Sequence, residues 1–219
     1  MKNMVREYYS ENYKKYGVSP KSLGWLRGKQ DIRFYELTKR FELNKNFSIL
    51  DIGCGFGDIN RFLASNNIED YSYLGIDIMQ EFIDVATDSF KEDSNKVFLC
   101  EDFRNVSINE SFDYIIGSGI FNVNLQNEDN YDMVSEIMSK AIRLCNQNGA
   151  VSFDFQSDKV DYKAESEYAF YYSPEKVLKI AYDLTRRVIL DNTFFPFEFS
   201  ITLFCNDSFS DDLIYSEYK

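Results

Sequence analysis

The run Asp51-Ile52-Gly53-Cys54-Gly55-Phe56-Gly57-Asp58 directly follows the short apolar stretch Phe47-Ser48-Ile49-Leu50. It reads as a strand ending in a glycine-rich turn, and few folds accommodate such a turn. Glycines at alternate positions remove every Cβ from one side, so a ligand can lie against bare backbone. Ile59, Phe62 and Leu63 then recur at helical spacing across 58–66, so the amides of a helix start point at the same place. Strand, bare turn and helix start together predict a site for a nucleotide-like cofactor.

The glycine spacing narrows the cofactor. The dinucleotide fingerprint needs G-x-G-x-x-G/A. Here Gly53, Gly55 and Gly57 give G-x-G-x-G, and the residue three beyond Gly55 is Asp58, which repels a pyrophosphate. A nicotinamide oxidoreductase is therefore disfavoured. No Gly-Lys-Ser/Thr follows, so a phosphate-binding P-loop fails as well.

Along the chain, strand-like runs at 47–50, 71–77, 96–100, 112–116 and 150–155 are separated by helical patterns at 58–66, 80–90 and 128–145. Alternation of this kind predicts a parallel sheet covered by helices on both faces. Ser173-Pro174-Glu175 reads as a capped helix start opening 175–184. Two further strands, 187–190 and 199–204, are joined by a short loop containing Pro196, which predicts an antiparallel pair at the sheet edge. Residues 1–30 read as an irregular, aromatic extension, with Gly17, Pro20, Gly24 and Gly28 breaking any long helix; a helix follows over 31–43. The expected organisation is an N-terminal extension or lid, 1–30, and a single domain, 31–219.

Residues just beyond the strand ends should line the site, because ligands of open parallel sheets bind outside the carboxyl ends of the strands. Asp51, Asp77 and Asp102 all fall there, at intervals of 26 and 25 residues, each about one strand–helix unit apart. With the glycine turn they resemble the cofactor motifs of class I S-adenosylmethionine-dependent methyltransferases, whose cofactor carries no phosphate. The resemblance implies a Rossmann-like α/β fold, a mainly parallel seven-stranded sheet with one antiparallel edge strand and helices on both faces. It further implies that Asp51 and the backbone of Gly53, Cys54, Gly55 and Gly57 hold the methionine part. Asp77 would accept from both ribose hydroxyls, Ile78 and Phe103 would flank the adenine, and Asp102 would accept from its amino group. Ser118, at the end of the fourth strand, would face the methyl.

The segment Tyr16-Gly17-Val18-Ser19-Pro20-Lys21-Ser22-Leu23-Gly24-Trp25, with Gln30-Asp31-Ile32-Arg33-Phe34, is similar to a bacterial subgroup of that family. So are Ser118-Gly119-Ile120-Phe121-Asn122, the helix start Tyr171 to Glu175, and Phe195-Pro196-Phe197-Glu198-Phe199. Members usually carry His-Asp before that last segment and a His after the proline, where this chain has Asn192, Thr193 and Phe197. Trp25 and the N-terminal tyrosines either close over the cofactor, with Gln30 or Arg33 reaching its carboxylate, or pad the sheet edge. Phe121, Asn122, Tyr171 and Tyr172 are the expected substrate contacts. The strand-end motifs of base and arginine methyltransferases are absent.

Composition constrains the acceptor. The chain has no histidine, so a general base near neutral pH must be a carboxylate, tyrosine, lysine or cysteine. Glu198 and Asn192, flanking the loop after a parallel strand, are the expected catalytic residues. Methyl transfer otherwise demands in-line positioning and desolvation. The preferred acceptor is a small molecule with an already anionic oxygen (phosphate, phosphoramidate or carboxylate), or a sugar hydroxyl served by Glu198, in surface-glycan or secondary metabolism. The alternative is a non-catalytic S-adenosylmethionine-binding regulatory module. A net charge of −12 argues against nucleic acid as partner. Cys54, Cys100, Cys145 and Cys205 are widely spaced, which predicts reduced thiols and no metal site. No long apolar stretch occurs, so a membrane is not expected and the cytoplasm is.

Overall fold

The computed structural model describes residues 2–25, 29–43, 46–163 and 168–206. Gly28 and the last thirteen residues of the expected domain, 207–219, lie outside the described residues. Helices α1 (Lys2–Tyr16) and α2 (Gln30–Thr38) precede the alternating part. There follow β1 (Phe47–Ile52), α3 (Asp58–Ser65), β2 (Tyr71–Asp77), α4 (Gln80–Ser89), β3 (Lys96–Cys100) and β4 (Phe112–Gly117). The chain continues through α5 (Asn130–Leu144), β5 (Cys145–Gln156), α6 (Pro174–Tyr182), β6 (Val188–Asp191) and β7 (Glu198–Phe204).

The strands form one seven-stranded sheet in the order β3-β2-β1-β4-β5-β7-β6. All neighbours are parallel except β7, which runs antiparallel to both β5 and β6, so β6 forms the rim at that end. Strand side chains alternate between faces, and the core divides accordingly. Leu50, Ile115 and Val151 pack with Val134, Met138 and Ala141 of α5. Ile49, Ile116 and Ala150 pack on the opposite face with Phe34 and Leu37 of α2, Ile59 and Leu63 of α3, and Ile83 of α4. Burial on both faces explains why these strands read as near-continuous apolar runs.

The N-terminal region differs from expectation. Residues 2–16 are a helix rather than irregular, because the breakers all lie beyond it. Gly17, at φ +62°, donates its N–H to Tyr13 O at 2.8 Å and ends the helix. The buried stripe is aromatic, which masks its helical period. Tyr9 and Tyr13, one turn apart, meet Phe82 with ring centroids 6.1 and 5.8 Å away, and Tyr13 also meets Phe56 at 6.2 Å. A 3-10 turn follows at Pro20–Leu23, capped by Ser19, whose hydroxyl accepts from Lys21 N at 3.2 Å.

Between β3 and β4 no helix forms among the described residues. Lys140 of α5 instead reaches into this segment and donates to the carbonyls of Phe103 and Val106. A single ammonium satisfies carbonyls that a helix would have paired internally, and fixes the loop carrying Asp102.

Candidate functional site

The carboxyl ends of β1, β2 and β4 meet where the strand order reverses, and a cavity of about 890 Å³ opens there. That is at the roomy end of small-molecule sites. Its floor is the turn after β1. Gly53 and Gly55 both have positive φ, +73° and +55°. Their bare faces are already taken up by protein: an added Cβ would lie 2.3 Å from Ile120 Cγ2 at Gly53 and 2.9 Å from Leu23 Cδ2 at Gly55. The glycines are thus required by backbone conformation and by these close side chains, and their backbone borders the cavity. Gly57 does not line it. It is the left-handed cap of α3, and a Cβ there would strike Phe98.

The acids predicted at the strand ends converge on this cavity. Asp77 is buried, and its two oxygens accept from Gly55 N and Met79 N, each at 2.9 Å. The Ile78 amide also stabilises the charged Asp77 carboxylate, and a carboxylate has about four acceptor sites in all. Burial raises its carboxyl above the usual range, with the backbone bonds pulling the other way. Asp102 accepts from Arg104 N and Asn105 Nδ2, both at 3.0 Å. Phe103 and Ile78 line the same wall.

Asp51 accepts the Tyr73 hydroxyl at 2.8 Å. Burial pushes its carboxyl up to about 7, against that hydrogen bond and with help from the nearby Asp77 charge. A folded-state value above the unfolded one (about 3.9) means the folded protein holds the extra proton. Stability from this group is therefore present at low pH and lost as pH rises towards 7, with a slope approaching ~1.4 kcal/mol per pH unit. Thermal melts of the ligand-free protein between pH 5 and 7 should show this decline, and Asp51→Asn should flatten it. Equal slopes in the two proteins would contradict the assignment. Cys54 is buried beside the same acids, its thiol raised well above its ordinary value chiefly by burial, so it is no nucleophile at neutral pH.

The far end of the cavity is formed by β4, β5, β7 and the N-terminal segment. Ser118, Asn122, Tyr171, Gln30, Arg33, Trp25 and Glu198 all line it. Three expected contacts do not. Phe121 and Tyr172 are wholly buried in the core, Phe121 stacked on Phe155 at 4.8 Å and Tyr172 accepting from Asn130 Nδ2 at 3.1 Å. Asn192 sits exposed on the β6–β7 loop, outside the cavity lining. Arg33 does border the cavity, but its guanidinium is bound to Glu198: Nε donates to Oε2 at 2.8 Å and Nη2 to Oε1 at 2.5 Å. Both side chains are buried. Burial raises the Glu198 carboxyl, and the Arg33 bonds lower it.

Two features were not singled out in the sequence. Asp154, inside the apolar strand run Phe153-Asp154-Phe155, accepts Ser118 Oγ and Gly119 N, both at 2.6 Å, and so sets the turn after β4. A charged residue in an otherwise apolar interior strand was the available signal. Gln156, the last residue of β5, also lines the cavity. The side-chain oxygens of Gln156 and Asn122 are buried with no hydrogen-bond partner among the described residues. That leaves unmet bonding capacity at this end.

Solved structures share this architecture. A magnesium protoporphyrin IX methyltransferase from Synechocystis PCC 6803, solved with bound SAM, superposes with a TM-score of 0.62 at 16% identity, covering 92% of this chain and 95% of that one. A S-adenosylmethionine-dependent methyltransferase from Clostridium acetobutylicum ATCC 824 gives 0.61 at 14% identity, covering 90% and 98%. This is the class I methyltransferase fold. Residues 49–149, spanning the acids Asp51, Asp77 and Asp102, match the family model described as a methyltransferase domain.

Curated relatives match part of the chain. A putative methyltransferase of Mycobacterium tuberculosis is 36% identical over 83 residues, 38% of this chain and 47% of that protein. The cyclopropane-fatty-acyl-phospholipid synthase of Escherichia coli K12 is 29% identical over 136 residues, 61% of this chain and 34% of that protein. The chain thus spans less than half the length of these relatives. No helix among the described residues is long and apolar enough to cross a membrane.

Proposed function

We propose that this protein is an S-adenosylmethionine-dependent methyltransferase acting on a small molecule. The observation that carries the reading is Asp77, a buried carboxylate lining the cavity whose two oxygens accept from the Gly55 and Met79 amides. A ribose diol is the ligand such a carboxylate fits. Asp102 and Phe103 suit an adenine, and the buried acids at Asp51 and Asp77 suit a cofactor with net positive charge. When bound, the cofactor supplies a methyl group on a positively charged sulfur. The residues of the chain bind, orient and exclude water around it. The cavity extends past the cofactor walls to Asn122, Gln156 and Tyr171, which favours an enzyme over a non-catalytic binding module.

The acceptor we favour is an anionic oxygen (phosphate, phosphoramidate or carboxylate). Glu198, the candidate base for a sugar hydroxyl, has both oxygens bound by Arg33. Lys159 on the rim is mostly exposed and paired with the exposed Glu175 at 2.9 Å. Such surface pairs are weak, so its ammonium can turn to an anion. O-methylation is also the activity named for one relative, the malonyl-[acyl-carrier protein] O-methyltransferase of Acetivibrio thermocellus. A cytoplasmic role in surface-glycan or secondary metabolism is the context proposed for it.

The test has two parts. Calorimetric titration with S-adenosylhomocysteine should show one site, and no heat from the folded protein overturns the cofactor reading. Methyl transfer to phosphate- or carboxylate-bearing acceptors should then be flat with pH above the acceptor's own pKa. A rate still climbing towards pH 10 overturns the anionic acceptor.

A further inference from the structure

The cavity-lining pair of Arg33 and Glu198 belongs to a larger arrangement. The guanidinium carbon of Arg33 lies 4.3 Å from the centroid of the Trp25 ring and 5.2 Å from that of Phe195. A buried cation between two aromatic faces gains both from the ring quadrupoles and from a fixed plane. Glu198 fixes that plane, because a carboxylate bonded to Nε and Nη2 permits one orientation of the fork. Arg33 Nη1 also donates to Lys29 O at 3.3 Å.

Trp25 also packs against the turn after β4. Its ring carbons lie 2.8 Å from where a Cβ on Gly119 would stand, so the ring fits only against a bare backbone. Gly119, at φ +73°, is itself fixed by its N–H bond to Asp154. Two residues before Trp25, Leu23 covers Gly55, while Tyr8 and Tyr9 of α1 border the same cavity. The segment carrying Trp25 therefore forms one wall of the cavity, and Trp25 joins it to α2 and β7 through Arg33.

We propose that the Arg33–Glu198 pair is a latch that holds Trp25 and the segment 2–25 closed over the cavity. On this reading Glu198 is a positioning residue and does not take a proton from the acceptor. The proposal rests on the cofactor assignment only for its effect on binding. The latch itself is a property of the ligand-free protein.

Trp25 is the only tryptophan in the chain, so its fluorescence reports the wall directly. Acrylamide quenching should rise about threefold in Glu198→Gln and in Arg33→Lys, since losing one partner of a buried ion pair loosens what it holds. Phe195→Leu leaves the ion pair intact but removes one face of the stack, and should raise quenching as well. It serves as the readout if a charge variant fails to fold. Unchanged quenching in the folded variants overturns the latch, whatever the cofactor proves to be. In turnover, Glu198→Gln should raise the KM for S-adenosylmethionine about tenfold with a much smaller change in kcat, and leave the shape of the pH profile intact. Loss of an acid-side limb from that profile overturns the positioning role and restores Glu198 as a base. Absence of cofactor binding by the wild type bears on the proposed function alone and leaves the quenching result standing.

Discussion

Asp77→Ala should weaken S-adenosylhomocysteine binding by about 100-fold or more. On the proposed function, two hydrogen bonds from ribose hydroxyls to a buried carboxylate would be lost. Bonds to charged groups contribute roughly 1.5–3 kcal/mol each, and every 1.4 kcal/mol is tenfold. The substitution also strips the amides of Gly55 and Met79 of their acceptor, so the turn that borders the cavity loses its brace. Asp77→Asn separates the two effects. It keeps an acceptor for one amide and one hydroxyl, and should fall between wild type and Ala. Calorimetry decides the matter, and wild-type affinity in the Ala variant would remove Asp77 from the site.

The second large effect concerns stability. Phe121 was expected to touch substrate, yet its ring is wholly buried, stacked on Phe155 and edge-on to Phe153 at 5.3 Å. Phe121→Ala should cost about 3–5 kcal/mol of unfolding free energy and lower the melting temperature by roughly 10 °C. At temperatures where the variant stays folded, the KM for acceptor should change little. A variant that melts like wild type but binds acceptor poorly would return Phe121 to the cavity wall.

How far the sequence could be read depended on whether a residue's role was local. The sequence pattern delimits β2 and β3 at Tyr71–Asp77 and Lys96–Cys100 because short apolar runs between turn residues mark strands directly, even at the half-exposed sheet edge that β3 forms. Asp51, Asp77 and Asp102 stood out because a parallel sheet brings equivalent strand ends to one edge. Helix α1 is not legible in the sequence because its packed, half-buried stripe is made of tyrosines, which also suit an exposed loop. Gly57 was grouped with its neighbours, although packing against Phe98 is what requires a glycine there. The pairing of Arg33 with Glu198 was beyond reach. Read locally, Arg33 points to the cofactor and Glu198 to the acceptor, and nothing local shows that they satisfy each other.

That ion pair joins positions 165 residues apart. Since β7 runs against its neighbours, it begins at the cavity edge where the parallel strands end, and its first residue is Glu198. During synthesis α1, α2 and the glycine turn leave the ribosome long before that strand exists. The nascent chain can form the floor of the cavity early, but Arg33 lacks its Glu198 partner until translation has passed residue 198. A protein of this topology acquires its gripping site only once the antiparallel strand β7 has been made.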